Sequence, residues 1–367
     1  MKSLILICFI SIFIAFFIPL NGATVGVSGG LAGYNGSTSF YFPSFYWDKD
    51  FSNKNRLTIF YVLEKIIAQY WLRNLAGNPL HLFINVEGEV AASENLSHKI
   101  DDGIENTANS FSASHIGGKL TFSWEPNPSS LEYPTGFAMK LTSQFRKFFF
   151  SLSENTTGGF ILPNNFFQFE HSLLVQPRFL LLKKLFYSGN PLVLYTYVNL
   201  IFLHRDFDRS WGNLDNFHDP SKPAWKWEAG ASMRIWFAFM IINFEISGAN
   251  GDNLDDVSRF KLGGDATPYT KRVSGALFYE FFTDAYFLFN SSFDFYIDRG
   301  NSLYLYYDAL RYKDSSGGYK MAEGMAVGYK FPLLGLKTDL RLSYLIQGNR
   351  DRPAERFKLY FGLKYSF

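Results

Sequence analysis

The final stretch of the chain, Glu355–Phe367, reads ERFKLYFGLKYSF. Its apolar residues alternate with polar or small ones up to the chain end, and the apolar set is Phe357, Leu359, Phe361, Leu363, Tyr365 and Phe367. A period of two places alternate side chains on opposite faces of a β-strand. A strand of about 9–11 residues with one apolar face has the pattern of a transmembrane β-strand. The alternative is a half-buried strand of a soluble β-protein.

The composition favours a membrane barrel over a helical membrane protein. Of the 367 residues, 41 are Phe and 22 are Tyr, and such a high aromatic content suits a barrel with aromatic girdles. Mean hydropathy is only −0.05. Beyond the N-terminal segment, no window holds the run of about 18 apolar residues that a spanning helix needs. The net charge of +2, without charged runs, gives no indication of a nucleic-acid partner.

Residues 1–23 are predicted to be a cleaved secretory signal peptide. Lys2 supplies the positive charge, Leu4–Leu20 the apolar region, and Gly22 and Ala23 the small residues near the cleavage site. The alternative is a single membrane anchor. Cys8, the only cysteine, lies inside this segment, so the mature chain is expected to have no disulfide, catalytic thiol or cysteine metal site.

Residues 24–367 are predicted to form one all-β domain, a transmembrane antiparallel β-barrel of about sixteen strands. Closure is expected because an open sheet edge in lipid would leave backbone groups unsatisfied. The first hairpin is placed around Asn35-Gly36, a strong turn signal. Single strands are predicted at Leu57–Leu72, Gly136–Phe145, Lys147–Ser153, Phe166–Gln176, Arg178–Phe186 and Val273–Phe282. Ser302–Tyr312 is either a further strand or the extension of one.

The first strand, Thr24–Tyr34, contains four glycines: Gly26, Gly29, Gly30 and Gly33. Glycine weakens a strand and invites bends. We therefore hypothesise a labile seam where this strand pairs with the last one.

An ordered series of elements in residues 258–367 resembles the bacterial surface antigen barrel of the BamA/TamA outer-membrane assembly superfamily. The series begins with Phe260, Gly263 and Gly264 in a long connection and continues with Glu280 on a strand. The strand end FDFYIDRG, from Phe293 to Gly300, and the terminal strand complete it. A last strand that ends on Phe also resembles the assembly signal of bacterial outer-membrane barrels.

The resemblance implies a non-enzymatic role in outer-membrane protein assembly or translocation, in the outer membrane of a diderm bacterium. It implies contact with outer-membrane lipid, unfolded outer-membrane or secreted proteins as clients, and a periplasmic accessory protein. No cofactor or metal is expected. Family members usually carry periplasmic domains, whereas this barrel begins next to the predicted cleavage site, so a short form without them is expected. The alternative is a passive pore or a structural barrel.

In the family, the loop after Gly-Gly carries an Arg that enters the lumen and pairs with an Asp. No Arg occupies the aligned tip here, which is Pro268, Tyr269, Thr270 and Lys271, and this departure puts the family activity in doubt. Period-two alternation places Glu280, Asp294 and Asp298 on the lumen face. Because buried unpaired carboxylates are costly, Lys271 or Arg272 is expected to supply a cation. Alternatively, these acids line a wet lumen.

Catalysis and metal binding receive little support from the sequence. His204 and Ser210 loosely resemble an outer-membrane phospholipase, but there the two residues lie two apart on a strand, so this reading is a distant alternative and no enzyme is predicted. Four loop carboxylates either bind calcium or are solvated: Asp252, Asp255, Asp256 and Asp265. The six histidines show no metal-ligand spacing.

Overall fold

A computed structural model describes most of the chain from residue 23 onward. The described residues are 23–34, 37–52, 55–62, 65–72, 82–94, 111–125, 136–152, 164–182, 192–206, 222–255, 257–264, 271–276, 280–298, 300–314, 316–333, 336–348 and 356–366. Residues 1–22 of the predicted signal peptide and the predicted Asn35-Gly36 turn lie outside them, and Ala23 is the first described residue.

Eighteen strands are present in the described residues. The first nine are β1 Ala23–Tyr34, β2 Ser37–Ser52, β3 Asn55–Val62, β4 Lys65–Leu72, β5 Leu82–Glu94, β6 Phe111–Trp124, β7 Gly136–Leu152, β8 Phe166–Leu182 and β9 Leu192–Arg205. The others are β10 Ala224–Trp236, β11 Met240–Asp252, β12 Phe260–Leu262, β13 Phe281–Thr283, β14 Ala285–Tyr296, β15 Ser302–Lys313, β16 Tyr319–Leu333, β17 Leu336–Gln347 and β18 Phe357–Ser366. The same residues include no helix that is long and apolar enough to cross a membrane.

Sixteen of these described strands form one closed antiparallel barrel, and β12 and β13 form a separate two-stranded sheet. Each wall strand pairs with its neighbour along the chain, except that β11 pairs directly with β14. The barrel closes where β1 pairs with β18, with Thr24 opposite Ser366 and Ala32 opposite Lys358. The prediction of a closed all-β barrel with about sixteen strands is confirmed.

The terminal strand β18 has the two faces that its alternation predicts. Phe357, Leu359 and Phe361 face outward with 41–46% of their surface exposed, whereas Lys358 between them is buried. Tyr365 and Phe367 have no described side chain. The same division continues around the wall, where Leu340, Leu342, Met325 and Val327 are among the exposed apolar side chains. The outward face is therefore an apolar belt, as a lipid-facing barrel surface requires.

Several predicted strand boundaries were wrong. Leu57–Leu72 is a pair of antiparallel strands, β3 and β4, because the charged pair Glu64-Lys65 interrupts an apolar run that was assigned to one strand. Conversely, the predicted pairs of strands at 136–153 and 166–186 are single long strands, β7 and β8. In β8, the strand continues past Pro177 although this residue has no N–H to donate, and the Pro177 carbonyl accepts a hydrogen bond from Thr196 Oγ1 (3.1 Å).

The largest correction concerns Val273–Phe282, which was predicted to be a wall strand. The described part of this segment belongs to the connection between β11 and β14, and only Phe281 and Phe282 lie in a short strand, β13. Val273, Ala276 and Phe281 are fully buried in a cluster with side chains from the wall. An apolar run that is buried on all sides looks like a strand in sequence, although here it packs against the inside of the barrel.

The seam between β1 and β18 has nine paired positions among the described residues, and the β17–β18 ladder has eight. Its register therefore shows no shortage of pairing. The labile seam stays a hypothesis that rests on the glycines of β1.

Candidate functional site

The candidate site lies where the connection between β11 and β14, residues 253–284, meets the inner face of the wall; we call this connection the inner loop. Its strands β12 and β13 pair with each other, with Phe260 opposite Thr283. The Gly263 N–H donates to the Lys271 carbonyl (3.0 Å), and the Val273 N–H donates to the Gly264 carbonyl (3.3 Å). Hydrogen bonds therefore join residues on both sides of the loop tip.

The predicted Phe-x-x-Gly-Gly element has a clear local role. Gly263 and Gly264 have φ values of 114° and 74°, a region that favours glycine because it has no Cβ. Phe260 packs edge-on against the Tyr286 ring of β14, with ring centroids 5.3 Å apart. The element thus turns the chain into the barrel and fixes the base of the inner loop against the wall.

Arg272 of the inner loop is bound to Asp308 of β15. Its Nε lies 3.1 Å from both carboxylate oxygens and its Nη2 lies 2.8 Å from Oδ1, so the guanidinium uses two nitrogens on one carboxylate. The same guanidinium lies over the Tyr306 ring, with Cζ 3.9 Å from the ring centroid. Nη2 also donates to the Ser291 carbonyl (3.3 Å). Arg272 is thereby held by groups from β14 and β15.

Three further donors complete the surroundings of the Asp308 carboxylate. The Ser274 N–H and Oγ donate to Oδ2 (2.8 and 2.6 Å), and Asn290 Nδ2 donates to Oδ1 (2.6 Å). Asp308 has no exposed surface. A buried carboxylate is tolerated only when cations and hydrogen bonds compensate for its desolvation, and this one has both.

Lys271, the residue before Arg272, contacts the adjacent part of the wall, formed by β9, β10 and β11. Its Nζ lies 2.9 Å from Glu228 on β10 and 3.2 Å from Glu245 on β11. It also donates to the Tyr197 hydroxyl on β9 (2.9 Å). Burial lowers the pKa of Lys271, but the charge of Glu228, with smaller contributions from Tyr286, Tyr197 and Glu245, outweighs burial and raises the pKa above its ordinary value. The ammonium is therefore charged at neutral pH.

The acids predicted to surround the loop cation are not together. Glu280 is fully buried, but it lies in the inner loop immediately before β13 and not on a wall strand. Asp294 faces inward from β14 and lies 3.7 Å from Lys330. Asp298 is exposed in the turn after β14, where Asn301 donates to it. Asp294 thus faces the lumen, whereas Asp298 does not.

Arg272 pairs with a carboxylate on the inner face of the wall, but that carboxylate is Asp308, which was not among the predicted acids. Asp308 lies in the segment Ser302–Tyr312, which was left open as a strand or an extension. The same alternation places Tyr304, Tyr306 and Asp308 on one face and Leu303 and Leu305 on the other. Reading that segment as a wall strand would have put Asp308 inside the barrel.

The loop carboxylates do not form a calcium site in the described residues. Asp255 is fully buried, makes an ion pair with Arg205, and accepts from the Val257 and Ser258 backbone N–H groups (3.1 and 2.9 Å). Its oxygens thus fix the start of the inner loop. Asp256 and Asp265 lie outside the described residues, within which no group of three His, Cys, Asp or Glu side chains could hold a metal ion.

The predicted phospholipase pair is only half described. His204 lies on the exposed outer face of β9, and its ring centroid is 6.5 Å from that of Phe169. Ser210 lies outside the described residues.

Comparisons with known proteins agree with the barrel architecture. CdiB from Acinetobacter baumannii is similar over 94% of this chain at 12% identity, with a TM-score of 0.57. CdiB from Escherichia coli is similar over 95% at 11% identity, with a TM-score of 0.57. BamA from Haemophilus ducreyi lacking POTRA domains 1–3 is similar over 94% at 11% identity, with a TM-score of 0.54.

These similarities show the fold, which is that of the CdiB and BamA barrels. This chain spans 60% of the A. baumannii CdiB chain, 64% of the E. coli one and 70% of the BamA chain. No family model matches the sequence. No curated protein matches it either.

Proposed function

We propose that this protein is an outer-membrane barrel of the BamA/TamA type, with a non-enzymatic role in the assembly or translocation of other proteins. The observation that carries the proposal is the ion pair between Arg272 of the inner loop and Asp308 of β15. The fold of CdiB and BamA supports it, as does the entry of the inner loop between β11 and β14, which pair directly in the wall.

The buried ion pair indicates that the inner loop has a defined position against the wall and does not move freely in a pore. Replacing a buried ion pair with apolar side chains is often neutral or stabilising, so such a pair is weak evidence of a contribution to stability. A role in specifying one arrangement is better attested. Here the pair defines where the inner loop lies against the wall, and its loss would free the loop tip.

Further parts of the proposal concern the location and partners of the protein. Residues 1–23 would act as a cleaved signal peptide that directs the chain to the outer membrane. Outer-membrane lipid would surround the apolar belt. Unfolded outer-membrane or secreted proteins would be the clients, and a separate periplasmic protein would deliver them.

Single-channel conductance in a planar bilayer tests the proposal. We compare the wild type with a variant lacking Asp265–Lys271, because an anchored inner loop should restrict the lumen. A small, fluctuating conductance that becomes large and steady after the deletion is expected. A large, steady conductance in the wild type that the deletion hardly changes would instead favour the passive pore.

A second experiment tests the seam hypothesis. Leu31 and Leu359 are directly opposite each other in β1 and β18, so a cysteine at each position can form a disulfide across the seam. The assay measures how fast vesicles that contain the protein fold a second outer-membrane protein. The oxidised double-cysteine variant is expected to lose this activity and to regain it on reduction. Equal activity in both states would exclude a seam that opens.

The distant phospholipase alternative has a simple test of its own. Ser210→Ala should leave phospholipid hydrolysis by the purified protein at background level, the same as in the wild type. Hydrolysis that the substitution removes would establish an enzyme.

A further inference from the structure

A continuous row of stacked side chains connects the inner loop to the closing strand. Tyr306 of β15 has two guanidinium groups near its ring, with Arg272 Cζ 3.9 Å and Arg341 Cζ 5.8 Å from the ring centroid. Arg341 of β17 also lies over the ring of Tyr360 on β18, at 4.3 Å. We call Tyr306, Arg341 and Tyr360 the stacked row. It ends on the strand whose other edge pairs with β1.

The stacked row crosses β16 because that strand has small residues on its inner face. Gly324, Ala326 and Gly328 occupy three successive inward positions, and the side chains of β15 pass over them. A Cβ at Gly328 would lie 2.1 Å from Cζ of Tyr304, which no side chain could accept without movement. The Tyr304 hydroxyl crosses β16 in this way and donates to Asp339 of β17. Two strands that are not neighbours are thus in direct contact.

The inner-loop backbone contacts the same part of the wall. A Cβ at Gly324 would lie 1.8 Å from the Ser274 carbonyl oxygen, so the loop backbone rests directly on β16. Gly275, with φ of 79°, approaches β17 so closely that a Cβ on it would lie 2.2 Å from the Leu345 nitrogen. Residues 272–276 of the inner loop, β15, β16 and β17 therefore form one packed unit on the side of the barrel that leads to the seam.

We infer that the stacked row couples the position of the inner loop to the strength of the β1–β18 pairing. The inference rests on the proposed function and deepens it, because it names the side chains through which release of the inner loop would weaken the β1–β18 pairing. When Arg272 leaves, the Tyr306 ring loses the cation that holds it at 3.9 Å, and a shift of this ring changes its contact with Arg341, which also lies over Tyr360. Coupling of this kind needs contacts that differ between two arrangements, and the docked and released loop provide them.

Hydrogen–deuterium exchange of the β1 and β18 amides tests the inference in the purified barrel. The comparison is a double-mutant cycle of wild type, Asp308→Asn, Tyr306→Leu and the combination. Asp308→Asn releases the loop and should speed exchange at the seam by ~3- to 10-fold, the range for a cation–π contact that is partly shielded from water. In the Tyr306→Leu background, the same change should add less than about twofold. The inference would be overturned if the two changes multiplied the exchange rates independently, which means additive free energies. It would also be overturned if Asp308→Asn left exchange at the seam unchanged.

Two controls keep the experiment decisive. Tyr306→Phe retains the ring and should preserve the response to Asp308→Asn. Arg311→Met removes a guanidinium that lies 4.8 Å from the Tyr319 ring on the outer face of β15 and β16, away from the stacked row, and should leave seam exchange unchanged. If Tyr306→Leu does not fold, Arg341→Met interrupts the row one link further on and takes its place in the cycle.

The measurement needs no client protein, which separates it from the test of the proposed function. If the free-energy effects in the cycle are additive and the barrel still folds its clients, only the coupling is refuted. Non-additive effects in a barrel that folds no client would refute the proposed function alone.

Discussion

At the scale of single residues, the feature that matters is a pair of adjacent cations that bind carboxylates on different strands of the wall. Lys271 meets Glu228 and Glu245, whereas Arg272 meets Asp308. Successive residues of an extended segment point in different directions, so one dipeptide can bind the inner loop to two neighbouring groups of strands. The two contacts differ in burial, because Asp308 is fully buried and Glu245 is partly exposed. We therefore expect the Arg272 contact to dominate.

The first prediction concerns Asp308→Asn. Removing one member of a buried ion pair costs about 3–5 kcal/mol because the remaining charge stays buried without compensation. Arg272 would then leave its position, and the inner loop would become accessible. Limited proteolysis within residues 257–276 should become much faster, while the barrel strands stay protected. Unchanged cleavage of the loop would show that the ion pair does not hold it.

The second prediction concerns Lys271→Met. This change removes the ammonium that both Glu228 and Glu245 contact, and contacts of this kind are worth about 1.5–3 kcal/mol each. A lower thermal unfolding temperature is expected. Adding Glu245→Gln should recover part of the loss, because it removes one of the two like charges. A double variant that is less stable than Lys271→Met would contradict this account.

The third prediction concerns pH and Asp314, in the turn between β15 and β16. Burial raises the pKa of this carboxyl, but hydrogen bonds from Ser316, Lys320 and the Gly318 N–H outweigh burial and lower the pKa below its ordinary value of 3.8. The folded state thus binds the proton more weakly than the unfolded state. The contribution of Asp314 is complete above pH ~4 and is lost as the pH falls through the lower folded value.

Exchange of the Gly318 amide, measured at decreasing pH and corrected for intrinsic rates, should show this loss of protection. In Asp314→Asn, protection should be weaker at neutral pH and should no longer change below pH ~4. A wild type whose protection stays constant down to pH 2 would contradict the assignment.

At the scale of secondary-structure elements, β16 is the strand that lets other elements meet. Its central inward positions, 322–328, carry only glycine and alanine, so the inner loop rests on it and Tyr304 crosses it. Glycine in a strand interior weakens that strand and often marks the close approach of another part of the chain. Both effects apply to β16: its glycines offer no side chains for packing, and the inner loop and Tyr304 approach it closely and supply contacts in their place.

The fourth prediction compares two Gly→Ala substitutions. A Cβ at Gly328 would overlap the Tyr304 ring, whereas a Cβ at Gly88 on β5 would meet nothing within 4 Å. Gly328→Ala should displace Tyr304 and break its hydrogen bond to Asp339, at a cost of about 1–3 kcal/mol, which is typical for overpacking. Gly88→Ala should be neutral or slightly stabilising. Denaturant unfolding in lipid vesicles measures both, and equal effects would contradict a special role for Gly328.

Alternation in the sequence predicts most of these elements correctly and also explains where it fails. The terminal strand follows the period-two pattern and has the predicted faces. Val273–Phe282 was misassigned because apolar residues buried inside a barrel have the same composition as residues of a wall strand. The strands β7 and β8 were divided because the polar pair Arg146-Lys147 and Pro177 look like breaks, although both segments continue as strands.

At the scale of the whole molecule, a belt of apolar side chains surrounds a wall whose inner face is polar and charged. Alternation predicts this division, but it does not predict which inner groups meet. Arg272 and Asp308 come together because β15 pairs with β14 in a particular register and the inner loop folds back onto both strands. Neither fact can be read from spacing along the chain. The resemblance led to an acidic partner for the loop cation, and only the structure identifies it.

The fifth prediction tests whether the outward belt faces lipid. Leu342 lies near the middle of β17 and Ile346 near its end, and both side chains point outward. An arginine on the lipid face costs about 2–4 kcal/mol at the bilayer midplane and about 0–1 kcal/mol near its edge. Leu342→Arg should therefore reduce the free energy of unfolding in vesicles far more than Ile346→Arg. Equal costs at the two depths would contradict a membrane-embedded belt.

The pairing of Thr24 with Ser366 also has a consequence for the order of folding. Every other wall ladder joins strands that are consecutive in the wall, so the loop that it closes is far shorter than the one that barrel closure encloses. The ladder that closes the barrel instead joins the first strand to the last and must wait for both ends of the chain to meet, and the entropy of loop closure grows with the length enclosed. Non-local pairing of this kind is slow. During synthesis and insertion, the barrel would therefore exist for a time as a curved sheet with two free edges, and closure would be the last step.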